Sequence, residues 1–304
     1  MLRGVIDERR RAGQRFGQFL LLGSASIDLM RQASETLAGR VAYLEIAPFT
    51  AAEAADAGHA IDRTWVRGGF PESLLAASDK NSLRWRTDFV RSYLERDVPM
   101  FAPRLPAETI GRLWTMLANG QGSLLNQARL ASGLAVTAPT VGRYIDLLSD
   151  LMLVRRLQPW SSNAGKRLVR APKVYVRDSG LVHALLELRS WNDIAGHPVA
   201  GPSWEGFVIE NLIAAAGDRA MPAFYRSEDG AEIDLILQRV GKPFIAVEIK
   251  RSSAPTVAKG FRLACDELAV ERRYVVYAGG ERYPMGGGLE AVPLLALVQE
   301  LSSI

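Results

Sequence analysis

A chain of 304 residues, 48% of them hydrophobic, is long enough to bury a substantial core and to form more than one domain. Its formal net charge is only +4, so the chain as a whole is not the polycation that would by itself indicate nucleic-acid binding. Any nucleic-acid-binding surface must therefore be local.

Cysteine and histidine usage excludes two kinds of site. The single cysteine, Cys265, has no partner for an internal disulfide, and three histidines far apart in sequence provide no Cys/His metal-binding spacing: His59, His183 and His197. A reducing, cytoplasmic location is therefore expected.

The apolar stretches of the chain are short. Those at 19–22 and 147–154 fall far below the roughly 20 residues that span a bilayer. The first residues contain no apolar signal region. No membrane partner and no export are expected.

Residues 1–50 predict alternating helices and strands. The charged segment 2–18 predicts a helix, and the apolar run at 19–22 predicts a buried strand. Ser24 is placed to cap a second helix over 27–37, and 41–46 predicts another short strand.

Residues 51–118 are expected to form a small helical module. Trp85, Phe89 and Leu94 recur along a helical segment at 84–94. Glycine and proline interrupt the helical pattern at Gly68, Gly69, Pro99, Pro103 and Pro106.

Residues 119–177 predict a winged helix-turn-helix. Helices are expected over 124–134 and 138–154, with Thr137 as N-cap and Pro139 in the first turn of the second helix. The turn position that is often glycine is Ala135 here. The wing strands are expected at 157–160 and 167–176.

Residues 178–304 predict an α/β domain, so the expected fold class is multidomain α/β. A helix at its start precedes three strands, and a second helix separates the third strand from a fourth. In chain order these elements are 204–216, 224–226, 232–237, 244–249, 256–268 and 274–277.

Charged residues interrupt two otherwise apolar strands of this domain. The strand period of two places Glu232 and Asp234 on one face, with Ile233 and Leu235 on the other. The same period pairs Glu248 with Lys250, and Gly241-Lys242-Pro243 between the strands predicts a hairpin turn. Asp234, Glu248 and Lys250 should therefore lie together.

Such a cluster suits Mg²⁺, which takes oxygen ligands and completes its octahedron with waters and substrate phosphates. Lys250 beside the carboxylates would orient or activate a water for attack on phosphorus. The alternative is a solvated strand face, where Glu, Asp and Lys are common. The apolar surroundings of these charges favour the metal site, because buried charges must be paired or bound to metal.

The chain resembles the PD-(D/E)XK nuclease superfamily at these residues, particularly its archaeal Holliday-junction-resolvase branch. The resemblance rests on Gly201-x-x-x-Glu205-x-x-Val208-x-x-x-Leu212, Glu232-Ile233-Asp234 and Val247-Glu248-Ile249-Lys250. It implies a restriction-endonuclease-like α/β domain with Glu205, Asp234 and Glu248 as metal ligands and Lys250 as a catalytic partner. Glu210, on the same helix, is the rival for the role of Glu205.

A wider resemblance covers nearly all of the chain. The phrases that carry it are Phe19 to Ser26, Leu37-Ala38-Gly39-Arg40, Arg67-Gly68-Gly69-Phe70-Pro71 and Gly165-Lys166-Arg167-Leu168 followed by Lys173-Val174-Tyr175. They resemble a prokaryotic family that joins an AAA-type ATPase module to a carboxyl-terminal domain of unknown function. The resemblance implies that 1–50 is a remnant of the ATPase core, with Ser24 as its nucleotide sensor.

The sequence lacks the nucleotide-binding motif of that family. A P-loop needs G-x-x-x-x-G-K-[ST], but Gly165-Lys166 and Gly241-Lys242 are followed by Arg167 and Pro243. The chain thus resembles a family member without most of its ATPase module. Neither ATP as a cofactor nor ATP hydrolysis is expected.

Basic residues are concentrated between 155 and 177, with no acid among them. They predict backbone- or structure-directed DNA binding through Arg155, Arg156, Lys166, Arg167, Arg170 and Lys173, with Arg177 at the end of the run. Trp160 and Tyr175 within the run are candidates for stacking on unpaired bases. The alternative is an interdomain face whose arginines pair with acids elsewhere.

The second helix of the helix-turn-helix is a poor base reader. Its outward positions are Thr140, Arg143, Asp146 and Asp150, one base against two acids. Two functions therefore remain open from sequence: a Mg²⁺-dependent nuclease-like protein, or a non-catalytic module for DNA docking or assembly with an AAA-type ATPase.

Overall fold

The computed structural model describes residues 2–20, 39–40, 42, 44–101, 105–160, 169–239, 245–270 and 272–303. Over these ranges the protein has a mixed α/β fold with two β-sheets. Within the same ranges, no helix is both long enough and apolar enough to span a bilayer.

The amino-terminal segment contains one described helix, α1 (Leu2–Arg11), which ends before the predicted limit at residue 18. Ser24 and the helix expected at 27–37 lie outside the described residues. The strand expected at 41–46 is wrong for residues 42 and 44–46, which belong to no strand. Leu44 and Ile46 are 85% and 76% exposed there, and a strand needs a paired neighbour to be stable.

The helical texture of 51–118 is confirmed. The helices are α2 (Ala51–Asp56), α3 (Ile61–Arg67), α4 (Pro71–Leu74), α5 (Asp79–Ser92), α6 (Val98–Phe101) and α7 (Ala107–Asn119), with a π-helical turn at Tyr93–Asp97. Thr50 starts α2 through a capping box with Glu53, and the Ser78 side chain caps α5.

The Gly68-Gly69 break is a packing requirement. Gly68 has a φ of +77°, and a Cβ there would lie 2.2 Å from the Asp178 carboxylate. The Gly69 N–H donates to Asp178 Oδ2 at 2.8 Å, and Asp178 also caps α10 (Ser179–Leu185). The glycines therefore let the α3–α4 loop contact the start of α10.

The predicted helix-turn-helix corresponds to α8 (Gln127–Leu134) and α9 (Ala138–Asp150). Thr137 is the N-cap of α9, with Pro139 in its first turn as expected. Ala135 takes the left-handed conformation, with a φ of +53°, which costs a non-glycine residue about 1 kcal/mol.

A small sheet flanks these helices in the chain, with β1 before them and β2 and β3 after them. Its strands are β1 (Ser123–Leu124), β2 (Val154–Leu157) and β3 (Lys173–Val176), in the order β1-β3-β2 with antiparallel pairing. The helix predicted to reach residue 154 ends at Asp150, so β2 lies earlier than the predicted strand at 157–160.

The larger sheet has six strands in the order β4-β5-β6-β7-β9-β8. Before it come α11 (Trp191–Ala195), α12 (Ala200–Ala216) and a 3₁₀ turn at Gly217–Arg219. The sheet and its last helices are β4 (Met221–Arg226), β5 (Glu232–Gln238), β6 (Ile245–Ile249), α13 (Lys259–Glu267), β7 (Arg272–Tyr277), β8 (Tyr283–Gly286), β9 (Leu289–Pro293) and α14 (Leu294–Ser303).

The β5–β6 pair is antiparallel, as the predicted hairpin requires, although the turn at 241–243 lies outside the described residues. β6 pairs in parallel with β7, and β7 in parallel with β9. The α13 crossover between β6 and β7 is the connection that a parallel pair needs.

A β-bulge in β5 changes the predicted alternation. The pairing of β4 with β5 passes from Ala223–Ile236 to Tyr225–Ile233, so three steps on β5 match two on β4. The prediction that Ile233 and Leu235 share one face is therefore wrong: Ile233 packs in the apolar cluster with Phe261 of α13, whereas Leu235 packs in the main core.

The main hydrophobic core crosses the predicted module boundaries. It includes Trp65 and Trp114 from the helical region, Tyr175 from the small sheet and Trp204 from α12, together with one face of the large sheet. The other face of that sheet packs against α13. The modules predicted over 51–304 therefore share one main core that includes α12.

Candidate functional site

Three elements bring the predicted site residues together. Glu205 lies on α12, Asp234 on β5 and Glu248 on β6, while Lys250 directly follows β6. Continuing the pairing of Leu235 with Val247 by one step places Asp234 opposite Glu248. The register of one hairpin therefore juxtaposes two buried carboxylates.

The strand backbone and Lys250 hold these carboxylates. The Ile249 N–H donates to Asp234 Oδ2 at 2.9 Å, and Lys250 Nζ lies 2.5 Å from Glu248 Oε1. The Asp234 and Glu248 residues are 8% and 5% exposed, whereas the Lys250 side chain is 37% exposed. Lys250 is therefore the member of this group that solvent reaches most readily.

The start of α12, which carries Glu205, is anchored by hydrogen bonds. Ser203 contacts Trp65 Nε1 at 3.2 Å and His183 Nε2 at 2.9 Å. Burial lowers the pKa of His183 to about 3, so this histidine stays neutral at ordinary pH. It has a structural role in fixing α12.

The segment after Lys250 is also fixed. The Arg251 guanidinium stacks over Trp65 and Trp191, 4.3 and 4.9 Å from the ring centroids. The end of β6 is thereby attached to the helical region.

The small sheet adds residues to the cluster that the sequence did not predict there. Lys173 Nζ lies 3.1 Å from Glu205 Oε1, 2.9 Å from Glu232 Oε1 and 3.7 Å from Asp234 Oδ1. The Tyr175 hydroxyl donates to Glu205 Oε1 at 2.5 Å. The carboxylate cluster is therefore formed by Glu205, Glu232, Asp234, Glu248, Lys173, Lys250 and Tyr175.

Burial raises the pKa of Asp234 well above its ordinary range, and the neighbouring charges of Glu205 and Glu248 raise it further. Burial also raises the pKa of Glu248, although Lys250 opposes that change. These directions indicate that burial and the neighbouring carboxylates favour the protonated forms of Asp234 and Glu248.

The two lysines remain protonated. Burial alone would lower the pKa of Lys173, but Glu205, Asp234 and Glu232 outweigh it and raise that pKa. Burial would also lower the pKa of Lys250, but the neighbouring Glu248 outweighs that effect, so the pKa of Lys250 is raised as well. Both side chains therefore act as cations and hydrogen-bond donors.

The formal charges of the cluster do not balance. Among the residues that the structure describes, the four carboxylates contact two lysine ammonium groups, and Arg226 reaches Glu232 at 3.7 Å from a side chain that is 43% exposed. If all four carboxylates were ionised, four negative charges would oppose three positive ones among these residues, and either a proton on Asp234 or a bound cation would offset the difference. Buried surplus charge of this sign is stabilised by a bound cation.

The chemistry of the donors fits Mg²⁺. Carboxylate oxygens are its preferred protein ligands, and it usually takes one or two carboxylates plus water and phosphate oxygens. However, no three acidic, histidine or cysteine side chains in the described ranges are grouped closely enough to hold a metal ion. Glu205, Asp234 and Glu248 fit the ion in type and charge rather than in a completed geometry.

Glu210 lies in a different environment from Glu205. It pairs with the Arg155 guanidinium through two contacts and with Arg177 Nε at 2.9 Å, and Arg177 also reaches Glu45 at 2.6 Å. Burial would raise the pKa of Glu210, but Arg155 and Arg177 outweigh it and lower that pKa. Of the two rivals, Glu205 is therefore the one that joins Asp234.

Most described residues of the basic segment face acids. Arg155 pairs with Glu210, Arg156 Nη1 with Asp146 Oδ1 at 2.6 Å, and Lys173 is only 4% exposed within the carboxylate cluster. Tyr175 is fully buried, so its ring does not offer a face to an unpaired base. This arrangement corresponds to the alternative interdomain face at these positions.

The remaining basic residues of the segment are Lys166, Arg167 and Arg170. Arg170 is exposed, and it has no ion-pair partner within the described ranges. Lys166 and Arg167 lie outside the described residues. On α9, Arg143 Nη2 donates to Thr140 Oγ1 at 3.2 Å on an exposed face.

The sequence predicts DNA contact for Lys173 and base stacking for Tyr175, because both lie in a basic run. Their strand period of two places both on one face of β3, which is the signal that they act together. Only the packing of the small sheet against α12 identifies that face as part of the carboxylate cluster.

Comparison with known proteins finds two domains of unknown function. DUF8612 matches residues 58–192, and DUF4143 matches residues 200–297. Lys173 and Tyr175 fall in the first match, whereas Glu205, Asp234, Glu248 and Lys250 fall in the second. The carboxylate cluster therefore draws on both matched regions.

The chain is similar to uncharacterized proteins of Mycobacterium bovis and Mycobacterium tuberculosis. Each is 42% identical over 276 residues, which cover 91% of this chain and 62% of the relative. The chain thus spans about three fifths of the length of these relatives. No solved structure matches the chain.

Proposed function

We propose that the carboxylate cluster is a Mg²⁺-dependent, PD-(D/E)XK-type site that cleaves DNA phosphodiester bonds. One observation carries the proposal: Asp234 and Glu248 lie on adjacent strands with Lys250 against Glu248 and Glu205 approaching from α12. These are the four residues to which the sequence resemblance assigns the metal and catalytic roles.

In this proposal Glu205, Asp234 and Glu248 hold Mg²⁺. The bound ion would supply charge stabilisation at the phosphate. Lys250, protonated and 37% exposed, donates from Nζ to the attacking water or to a phosphate oxygen. Ile249 N–H keeps the Asp234 carboxylate oriented through its 2.9 Å hydrogen bond.

DNA is the proposed partner because a phosphodiester substrate suits both Mg²⁺ and Lys250. The succession of α8, turn, α9, β2 and β3 supports a winged-helix platform for it. Lys166, Arg167 and the exposed Arg170 are the basic residues assigned to phosphate contact. Since phosphates carry no sequence information, recognition would be directed to backbone or structure.

A second candidate is a non-catalytic module for DNA docking or assembly with an AAA-type ATPase. The position of Lys173 favours it, because an ammonium group that contacts three carboxylates leaves them partly neutralised without a metal. DUF4143 is also often paired with AAA ATPases. ATP hydrolysis by this chain is not proposed, because its 304 residues contain no P-loop sequence.

The two candidates differ in a cleavage assay. The purified chain is incubated with branched and single-stranded DNA while Mg²⁺ is titrated against a chelator control. The nuclease proposal requires Mg²⁺-dependent products that disappear in Glu248→Gln and persist in Glu290→Gln, a matched change on β9. DNA binding without cleavage at any Mg²⁺ concentration would favour the docking module.

A further inference from the structure

Lys173 belongs to β3 of the small sheet, yet its ammonium group lies among carboxylates from α12 and β5. Its side chain is 5% exposed, and Nζ contacts Glu205, Glu232 and Asp234 at 3.1, 2.9 and 3.7 Å. The Phe224 ring, 5.6 Å from Nζ, adds a cation–π contact. Lys173 is thus an internal counter-ion of the carboxylate cluster.

The backbone beneath Lys173 is held firmly. Gln121 exchanges two hydrogen bonds with Val176, at 2.8 and 3.0 Å, and the Gly122 N–H donates to Val174 O at 2.8 Å. β2 pairs with the other edge of β3 over four residues. Any change at Lys173 is therefore expected in its flexible side chain rather than in the strand.

A divalent cation and the Lys173 ammonium group require the same oxygens. Glu205 and Asp234 are proposed metal ligands, and both contact Lys173 Nζ. Two cations within about 4 Å of each other repel by several kcal/mol at the effective dielectric of a protein site. Close approach of a metal ion to these carboxylates is therefore opposed by Lys173.

We propose that Lys173 is a competitive counter-ion, so that Mg²⁺ enters the carboxylate cluster only as the ammonium group withdraws from Glu205 and Asp234. The inference rests on the metal site of the proposed function. It assigns a regulatory role to the small sheet: whatever stabilises Lys173 in its inward position weakens metal binding, and whatever draws it outward strengthens metal binding.

The first test removes the charge and keeps the length of the side chain. Lys173→Met should bind Mg²⁺ with a Kd lower by about tenfold or more in titration calorimetry, since a competing charge is lost. Without metal its Tm should fall below that of the wild type, and saturating Mg²⁺ should raise its Tm by more than it raises the wild-type Tm.

Two variants serve as controls. Lys173→Arg keeps the positive charge and should retain a Kd near the wild-type value. Arg156 lies on the neighbouring strand β2 and pairs with Asp146 outside the carboxylate cluster. Arg156→Gln removes this cation and should leave the Kd for Mg²⁺ unchanged. A fall in Kd for Arg156→Gln as large as for Lys173→Met would contradict a local competition.

A second measurement uses the wild-type chain and does not depend on folding of the variant. Acetylation by acetic anhydride is mapped by mass spectrometry with and without Mg²⁺, with the exposed Lys259 as internal reference. Lys173 should react slowly without metal, and its rate should rise by about tenfold when Mg²⁺ draws the amine outward, because reactivity follows exposure.

The results separate the inference from the proposed function. If wild-type protein cleaves DNA while Lys173 stays protected and Lys173→Met leaves the Kd within twofold, the counter-ion role is wrong and the nuclease stands. If Lys173→Met binds Mg²⁺ more tightly but neither protein cleaves DNA, the counter-ion role stands and the nuclease is wrong. If neither protein binds Mg²⁺, both are overturned.

Discussion

Glu205 and Glu210 lie five positions apart on the same helix and face the same small sheet, yet their environments are opposite. Glu210 is paired with Arg155 and Arg177, and the arginines lower its pKa despite burial. Glu205 shares the single ammonium of Lys173 with Glu232 and Asp234. Two arginines compensate Glu210, whereas Glu205 belongs to a cluster in which the described carboxylates outnumber the described cations.

The difference separates a structural ion pair from a candidate functional site. Arginine forks that pair with a buried carboxylate leave no charge for a ligand to neutralise. In the carboxylate cluster, burial and like charges raise the pKa of Asp234 and Glu248, so either a proton or a bound cation would lower the repulsion among the carboxylates. Both arrangements look alike in sequence, as a glutamate on an apolar helix.

The largest effect is expected on cleavage, from a change in the carboxylate cluster. Glu248→Gln removes the charge of a proposed metal ligand at nearly constant shape, so metal-dependent cleavage should fall by at least about 100-fold. Circular dichroism should remain that of the wild type. Cleavage at the wild-type rate by a folded Glu248→Gln protein would remove this residue from the site.

For stability, the larger loss is expected at Glu210 and the smaller loss at Glu205. Glu210→Gln leaves Arg155 and Arg177 without their shared partner and should lower the free energy of unfolding by about 3 kcal/mol. Glu205→Gln reduces surplus charge around Asp234 and, in chelator, should cost less than about 1 kcal/mol. Urea denaturation measures both, and an equal loss in the two variants would refute the contrast.

The pH dependence in chelator should also differ in sign. Burial chiefly raises the pKa of Asp234, so the folded state holds this proton more tightly than the unfolded chain does. The free energy of unfolding should therefore fall as pH rises from about 4 through the raised pKa. Glu210 has a lowered pKa, so its contribution is present above about 4 and is lost as pH falls.

Two variants assign these slopes. Asp234→Asn should reduce the loss of stability that accompanies rising pH. Glu210→Gln should reduce the loss of stability that accompanies falling pH. Urea unfolding at each pH provides the measurement. If the free energy of unfolding of Asp234→Asn fell with rising pH as steeply as that of the wild type, Asp234 would not be the group responsible for that loss.

The smallest effect is expected in the basic segment, where four of the charges already have acidic partners. The triple variant K166A/R167A/R170A should weaken DNA binding similarly for all sequences and reduce the salt dependence by up to about three phosphate contacts. Arg143→Ala on α9 should change little. Loss of binding or altered sequence preference in Arg143→Ala, with normal binding by the triple variant, would make α9 the reader.

Local pattern was enough to place much of the carboxylate cluster. The short connection between β5 and β6, together with the period of two along β6, predicted that Asp234, Glu248 and Lys250 meet, and the bulge in β5 does not prevent this. The Thr137 cap and Pro139 likewise fixed the start of α9. These features depend on neighbours in sequence, which is why they were predictable.

Features that depend on distant packing were not predictable. The β5 bulge moves Ile233 and Leu235 to different apolar clusters, and no residue in the sequence marks it. Lys173 looked like a phosphate contact because its sequence neighbours are basic. Its carboxylate partners lie 32, 59 and 61 positions further along the chain, and only the packing of β3 against α12 brings them together.

The most direct test of the metal site is an anomalous-difference map from crystals of the chain grown with Mn²⁺, a probe for Mg²⁺. The proposal predicts one peak bounded by Asp234, Glu248 and Glu205, at about 2.0–2.2 Å from carboxylate oxygens, with Lys173 Nζ displaced from its present contacts. A map with no peak among these carboxylates at saturating Mn²⁺, and with Lys173 still bound to Glu205 and Asp234, would contradict the metal site.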